Sequence, residues 1–221
     1  MSRKENTAET ARKYHTETFE NISEEKKERI LRAAAAEFAV RGFERARVSD
    51  IAKAAGVSHG SIFSYFETKD DILSYLIEEI NEVQDMGFEV DGDSAVSFES
   101  ALRKLIERSF HMARQRPFLM SVWLSLSFAY NSKFAAQVKD IERTGIENWH
   151  RLLKRAAEKG EISAETDLRA SAYIIDSVLA NILRGYISDH EKKKLEFHFG
   201  SGTALNDIID RVAGSLLKLL G

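Results

Sequence analysis

The chain has no cysteine and a single proline, Pro117, in 221 residues. Without cysteine there is no disulfide, no thiol nucleophile and no thiolate metal site, a composition that suits a reducing cytosol. With so little proline, long helices can run unbroken. No apolar run approaches the about 20 residues of a membrane span. The opening MSRKENTAETARKYHTE is too polar for a signal peptide, so a cytoplasmic location is expected. A large excess of either charge is also missing. The formal net charge of −3 argues against a general nucleic-acid coat but leaves room for a local basic face.

Catalytic patterns are missing as well. His111, His150, His190 and His198 are scattered, with no pair at the i, i+4 spacing that brackets a glutamate. No GxSxG-type elbow occurs. GSGT, at 200–203, lacks the preceding strand and the lysine of a phosphate-binding loop. Asp91 and Asp93 suggest a calcium loop, but the glycine and glutamate required further on are absent. No metal, cofactor or enzymatic activity is expected. A helical carrier of small molecules, without regulatory DNA binding, remains the alternative from another class, with an enzyme behind it.

What is present is concentrated in residues 48–66, VSDIAKAAGVSHGSIFSYF. A helix is predicted from Val48 to Ala55, with Ile51, Ala52 and Ala55 on one apolar face. Gly56 ends it, because glycine lacks the Cβ that clashes in left-handed backbone. Val57 fills the turn. Ser58 caps a second helix whose Ile62 and Phe66, four residues apart, share a buried face. An ordinary helical hairpin would explain the stop and the apolar residues. It would not explain the outer face, Ser58, His59, Gly60, Ser61, Ser64 and Tyr65, which is small, polar and free of acids. Such side chains at a helix start allow close approach to base edges and phosphates. The pattern is a helix-turn-helix, its second helix sized for a DNA major groove.

The flanks agree. Ser23 caps a helix predicted to Arg41, carrying Ile30, Leu31, Ala34, Ala35 and Phe38 and ended by Gly42. Thr68 caps a fourth helix, with Asp71 as its capping-box partner, continuing through Leu73, Leu76, Ile77 and Ile80 to about Met86. Residues 26–75 resemble the DNA-binding domain of the TetR family of transcriptional regulators. The resemblance rests on Phe38, Gly42, Phe43, Val48, Ile51, Ala52, Ala55, Gly56, Val57, Ile62, Tyr65, Phe66, Lys69 and Leu73. The chain departs from it at Phe63, where members often have tyrosine; loss of that hydroxyl would leave Phe63 to packing. The resemblance implies that Tyr65, Lys69 and Ser49 grip phosphates. His59, Ser61 and Ser64 are the candidates for base contacts, Gly60 permits close approach, and Ser58 completes the DNA-binding set.

Residues 1–21 form a polar extension, 22–70 the helix-turn-helix domain, and 71–221 an all-helical body. A loop is predicted over 87–97. Further helices are expected over 98–116, 117–130, 133–159, 167–188 and 203–220, and the segment 117–130 is apolar nearly all round, which implies burial. LEFHF, at 195–199, is the one hint of a strand.

In the resembled family the C-terminal helices form a two-fold dimer and enclose an effector. Phe110, Met120, Trp123, Phe128, Tyr130, Trp149 and Tyr173 concentrate aromatic and methionine bulk suited to an apolar ligand, and equally to core. Asp176, inside an apolar run, is a candidate anchor. Ile174, Val178 and Ile182 of the 167–188 helix, with Ile208, Val212 and Leu216 of the last, are the candidate dimer interface; the same helices could instead close the monomer core. The expectation is a homodimeric, ligand-responsive regulator of a near-palindromic operator, a repressor by resemblance.

Overall fold

The computed structural model describes residues 13–88, 96–127, 133–185 and 188–220. Every regular element among these is a helix, and the residues of LEFHF lie in one rather than in a strand. The chain divides into two compact units, Met1–Leu76 and Ile77–Gly221.

The first unit opens with α1, Glu17–Glu20, a short turn of helix that buries Phe19. Residues 13–21 therefore pack as part of this unit, where a loose polar extension was expected. Helix α2, Glu24–Arg45, starts where Ser23 accepts a hydrogen bond from the Lys26 amide. Gly42 breaks the helical backbone where expected, at φ 71° and ψ 159°, and a short second turn runs on to Arg45. Helix α3, Val48–Ala55, buries Ile51, Ala52 and Ala55, and Gly56 ends it in left-handed backbone at φ 67°. Helix α4, His59–Tyr65, follows within four residues and buries Ile62 and Tyr65. Ile30, Leu31, Ala34, Ile51, Ile62 and Phe66 form the centre of the unit. Fully burying a Leu, Ile or Phe side chain is worth about 1.5–3 kcal/mol each. That burial is what makes so small a unit a stiff platform.

Helix α5, Lys69–Phe88, contributes residues to both units. Its start is the reciprocal box expected from the sequence. The Thr68 hydroxyl accepts from the Asp71 amide at 3.1 Å, and the Asp71 carboxylate accepts from the Thr68 amide at 3.0 Å.

The second unit is built from α6 (Phe98–Gln115), α7 (Pro117–Ser127), α8 (Ala135–Glu158), α9 (Leu168–Arg184), α10 (Asp189–Phe199) and α11 (Leu205–Leu220). Helices α6, α8, α9 and α11 share one core, in which Leu102, Ile106, Phe110, Leu153, Ile175 and Ala213 are almost completely buried. Asp167 caps α9 by accepting from the Arg169 and Ala170 amides. Gly160, at φ 71°, stands at the stop expected after α8. Helix α10 falls where a polar connection was expected; it buries none of its residues, so the sequence carries no apolar stripe to announce it. Helix α7 departs from the expectation of full burial. Phe118, Leu119 and Val122 are buried, while Met120, Trp123, Leu124 and Leu126 are only half-buried. The stretch containing Asp91 and Asp93 lies outside the described residues, as do Phe128 and Tyr130.

Candidate nucleic-acid interface

Helix α4 carries the reading face. Ser58 fixes its start: the Ser58 hydroxyl accepts from the Ser61 amide at 3.0 Å and lies 2.7 Å from the Ser61 hydroxyl. The Ser64 hydroxyl donates to the Ser61 carbonyl at 2.7 Å. Ser58, His59, Gly60, Phe63 and Ser64 are exposed, and Ser61 is half-buried. The sequence reading left Phe63 to packing. It is instead 44% exposed, with its ring edge-on to His59 at 5.0 Å. The i, i+4 spacing puts these two rings on the same flank of the helix.

One brace holds α4 from behind, and a second holds the corner before α3. The first is the segment leading into α1. The Thr16 amide donates to the Tyr65 carbonyl at 2.9 Å, and the Thr16 hydroxyl donates to the Ser64 carbonyl at 2.7 Å. A helix leaves its last carbonyls without internal partners, so one threonine satisfies two of them at the end of α4. Phe19 then wedges against Phe66 at 4.7 Å, Tyr75 at 5.4 Å and Tyr65 at 5.9 Å. His15 stacks edge-on to Tyr75 at 5.1 Å.

The second brace is Lys69. Its ammonium donates to the carbonyls of Phe43, Glu44 and Ala46 at 2.7, 3.2 and 3.2 Å, and lies 4.4 Å from the centre of the Phe43 ring. Beyond the Gly42 kink, α2 ends with carbonyls that a cation satisfies well. The family resemblance implied a phosphate grip for this lysine. In the structure its ammonium holds the α2–α3 corner, which fixes where α3 begins.

Tyr65 lies largely under cover. It is only 4% exposed, covered by Phe19 and with the Lys26 ammonium 5.4 Å over its ring. Ser49 is exposed in the first turn of α3, and Arg47 and Lys53 are exposed at the two ends of that helix. Arg41 is drawn off toward Glu37 at 3.1 Å and Asp50 at 4.0 Å. Residues open to a docked duplex include Ser49, Ser58, His59, Gly60, Phe63 and Ser64, with Arg47 and Lys53 as exposed cations. The sequence missed Phe63 although its i, i+4 relation to His59 was available.

In the second unit the candidates separate. Phe110 and Trp149 belong to the core, whereas Tyr173 is 74% exposed and points away from it. Met120 and Trp123 lie on the half-covered α7. Asp176 is exposed as a residue, yet burial around its carboxyl pushes its titration above the usual carboxylate range; a hydrogen bond from the Trp149 side chain partly reverses this. Of the dimer candidates, Ile182, Ile208 and Leu216 are buried in the core of their own chain, because α9 and α11 both turn their most apolar faces toward α6 and α8. Val178 and Val212 are half-buried, and Ile174 is 44% exposed.

Residues 30–76 match the family described as bacterial regulatory proteins, tetR family. Among curated proteins, the chain is 46% identical over 57 residues to YdgC, an uncharacterized HTH-type transcriptional regulator of Bacillus subtilis. That match takes in 26% of this chain and 29% of YdgC, so it speaks for the helix-turn-helix alone. Two solved structures extend the likeness along the chain. The fatty acid degradation regulator FadR from Bacillus halodurans is 27% identical, with a TM-score of 0.64 over 86% of this chain and 96% of that one. FadR from Bacillus subtilis, in complex with stearoyl-CoA, is 23% identical, with a TM-score of 0.61 over 87% of this chain and 96% of that one. A capped reading helix in the matched segment, followed by a helical body with the same fold as these regulators, places the chain in the TetR family of transcriptional regulators.

Proposed function

We propose that the protein is a ligand-responsive repressor of the cytoplasm. It binds a near-palindromic operator as a homodimer and leaves it when the body takes up an apolar small molecule. The observation that carries this reading is the exposed, acid-free face of α4, held by Thr16 and Phe19. A palindrome demands two reading heads related by a two-fold axis. Tyr173, Ile174 and Leu219, exposed apolar residues on α9 and α11, support those helices as the dimer surface. Residues 22–70, extended here to include α1, serve as the DNA-binding domain, and the remainder as the effector and dimer domain.

Half-covered α7 supports an apolar effector, since Met120, Trp123, Leu124 and Leu126 gain burial when one binds. The likeness to FadR of Bacillus subtilis, solved with stearoyl-CoA, makes a long-chain acyl thioester the ligand class to try first. Such a ligand lowers operator affinity only if it favours a dimer geometry in which the two α4 helices no longer match the groove spacing. Nothing in the described residues favours a reading as an enzyme.

Fluorescence anisotropy against fragments of the source genome tests the proposal. One fragment should bind far more tightly than random duplex, with affinity falling steeply as salt rises. Stearoyl-CoA, added to the complex, should release it. Equal affinity for all duplexes at every salt concentration would overturn the regulator reading; specific binding indifferent to acyl-CoA would overturn the ligand class alone.

A further inference from the structure

Which chemical groups of DNA can this reading face distinguish? In the major groove, guanine is read by Arg or Lys, adenine by Asn or Gln, and cytosine N4 by Asp or Glu. From Ser58 to Phe66 the chain has none of these six residue types. The three serines are partly committed, since Ser58 and Ser61 bond each other and Ser64 donates to the Ser61 carbonyl. What projects from the flank of α4 is a pair of rings, His59 and Phe63, 5.0 Å apart and steeply inclined at 69°. The edge of one ring against the face of the other limits the rotation of both.

The centre of the exposed face is almost bare. A Cβ placed on Gly60 would meet only the Ser58 hydroxyl at 4.0 Å, so packing within the chain does not require glycine there. Glycine inside a helix costs about 1 kcal/mol relative to alanine. Its presence makes sense if something outside the chain comes close to α4 at this point. With Gly60 and Ser64 small, the helix axis can settle deep in the groove. That brings the Phe63 ring, otherwise 44% exposed to water, down to the base edges.

We propose that Phe63 is a specificity-determining residue that reads the C5 methyl group of thymine, with His59 fixing its ring. Thymine is the one base whose major-groove edge presents an apolar group, and an exposed aromatic ring gains by covering it. Each half-site therefore contains at least one thymine whose methyl group, rather than its hydrogen-bonding edge, is recognised. The inference rests on the reading of the protein as a sequence-specific DNA-binding regulator and goes further by naming the chemistry that α4 selects.

Uracil in place of thymine removes only that methyl. Full-length protein is used to select its preferred duplex from a random pool, and each thymine of the selected site is then replaced singly by uracil. For the wild-type protein, replacement at one thymine per half-site should weaken binding about three- to five-fold, the worth of one buried methyl group. Phe63→Ala should bind the thymine and uracil duplexes equally, and Phe63→Leu should retain part of the discrimination. Both variants should melt with the wild type, because the side chain is exposed. Wild-type protein indifferent to every uracil overturns the proposal whatever the variants do; so does Phe63→Ala keeping the wild-type response. A pool that yields no preferred sequence overturns the regulator reading along with it, whereas a preferred sequence with no methyl dependence overturns this inference alone.

Discussion

The two units of this chain treat apolar surface in opposite ways. In Met1–Leu76, rings and hydrogen bonds converge on one seven-residue helix: Phe19 closes over Tyr65 and Phe66, and Thr16 satisfies its last carbonyls, while Lys69 separately pins the corner before α3. In Ile77–Gly221, four helices share a well-buried core, but α7 stays half-covered and Tyr173, Ile174 and Leu219 face outward. A surface that reads a fixed lattice of base edges gains from having one shape. A surface that admits a ligand or a second subunit needs apolar area still to be covered. The site in the first unit is defined by what projects from a braced frame, and in the second by what burial leaves unfinished.

The largest expected effect breaks the frame. Phe19→Ala removes a side chain that is 1% exposed and touches four rings, and should destabilise the first unit by about 3–5 kcal/mol. Hydrogen exchange should show α2–α4 losing protection while α8 and α9 keep theirs. Uniform loss along the chain would mean that the brace does not belong to the first unit alone. Next in size is Gly60→Ala, which should raise the stability of that unit by about 1 kcal/mol and weaken operator binding. A variant that gained in both would show that nothing docks closely on α4.

The smallest effect sharpens the contrast from the other side. The Asp176 carboxyl titrates above the usual range because burial disfavours its charge. The folded chain thus holds this proton to higher pH than the unfolded chain does. Its ionisation costs stability as pH rises through and above the carboxylate range, and the cost disappears in acid, where both states are protonated. Asp176→Asn, whose carbonyl can still accept from Trp149, should melt higher than wild type at neutral pH and converge with it in acid. A difference that stayed constant with pH would mean that titration of Asp176 has no part in it.

How much of this was legible in the sequence depended on the kind of signal. Gly56, Ser58, Ile62 and the Thr68–Asp71 box act through backbone chemistry of neighbouring residues, and those elements stand where they were expected. Phe19 was not legible, since one aromatic residue among Glu17, Thr18 and Glu20 offers no period, and the Tyr65 and Phe66 rings that it covers lie more than forty positions away. Lys69 and Tyr65 were found by pattern, but pattern says nothing about whether a carbonyl or a phenylalanine has already taken the side chain. In the body, the list of aromatic residues could not separate Phe110 and Trp149, which fill the core, from Tyr173, which faces solvent. Helical periodicity identifies an apolar stripe. It cannot say whether the stripe is covered by its own chain or by another molecule.

The hydrogen bonds from Thr16 to the end of α4 have a practical consequence. They put the segment leading into α1 in mechanical contact with the DNA-reading element. A protease that cuts the chain past Thr16 removes both bonds, and so acts on the part of the protein that chooses sequence. Protein cut past Thr16 should then differ from intact protein in operator preference, while its uptake of a ligand by the body stays the same.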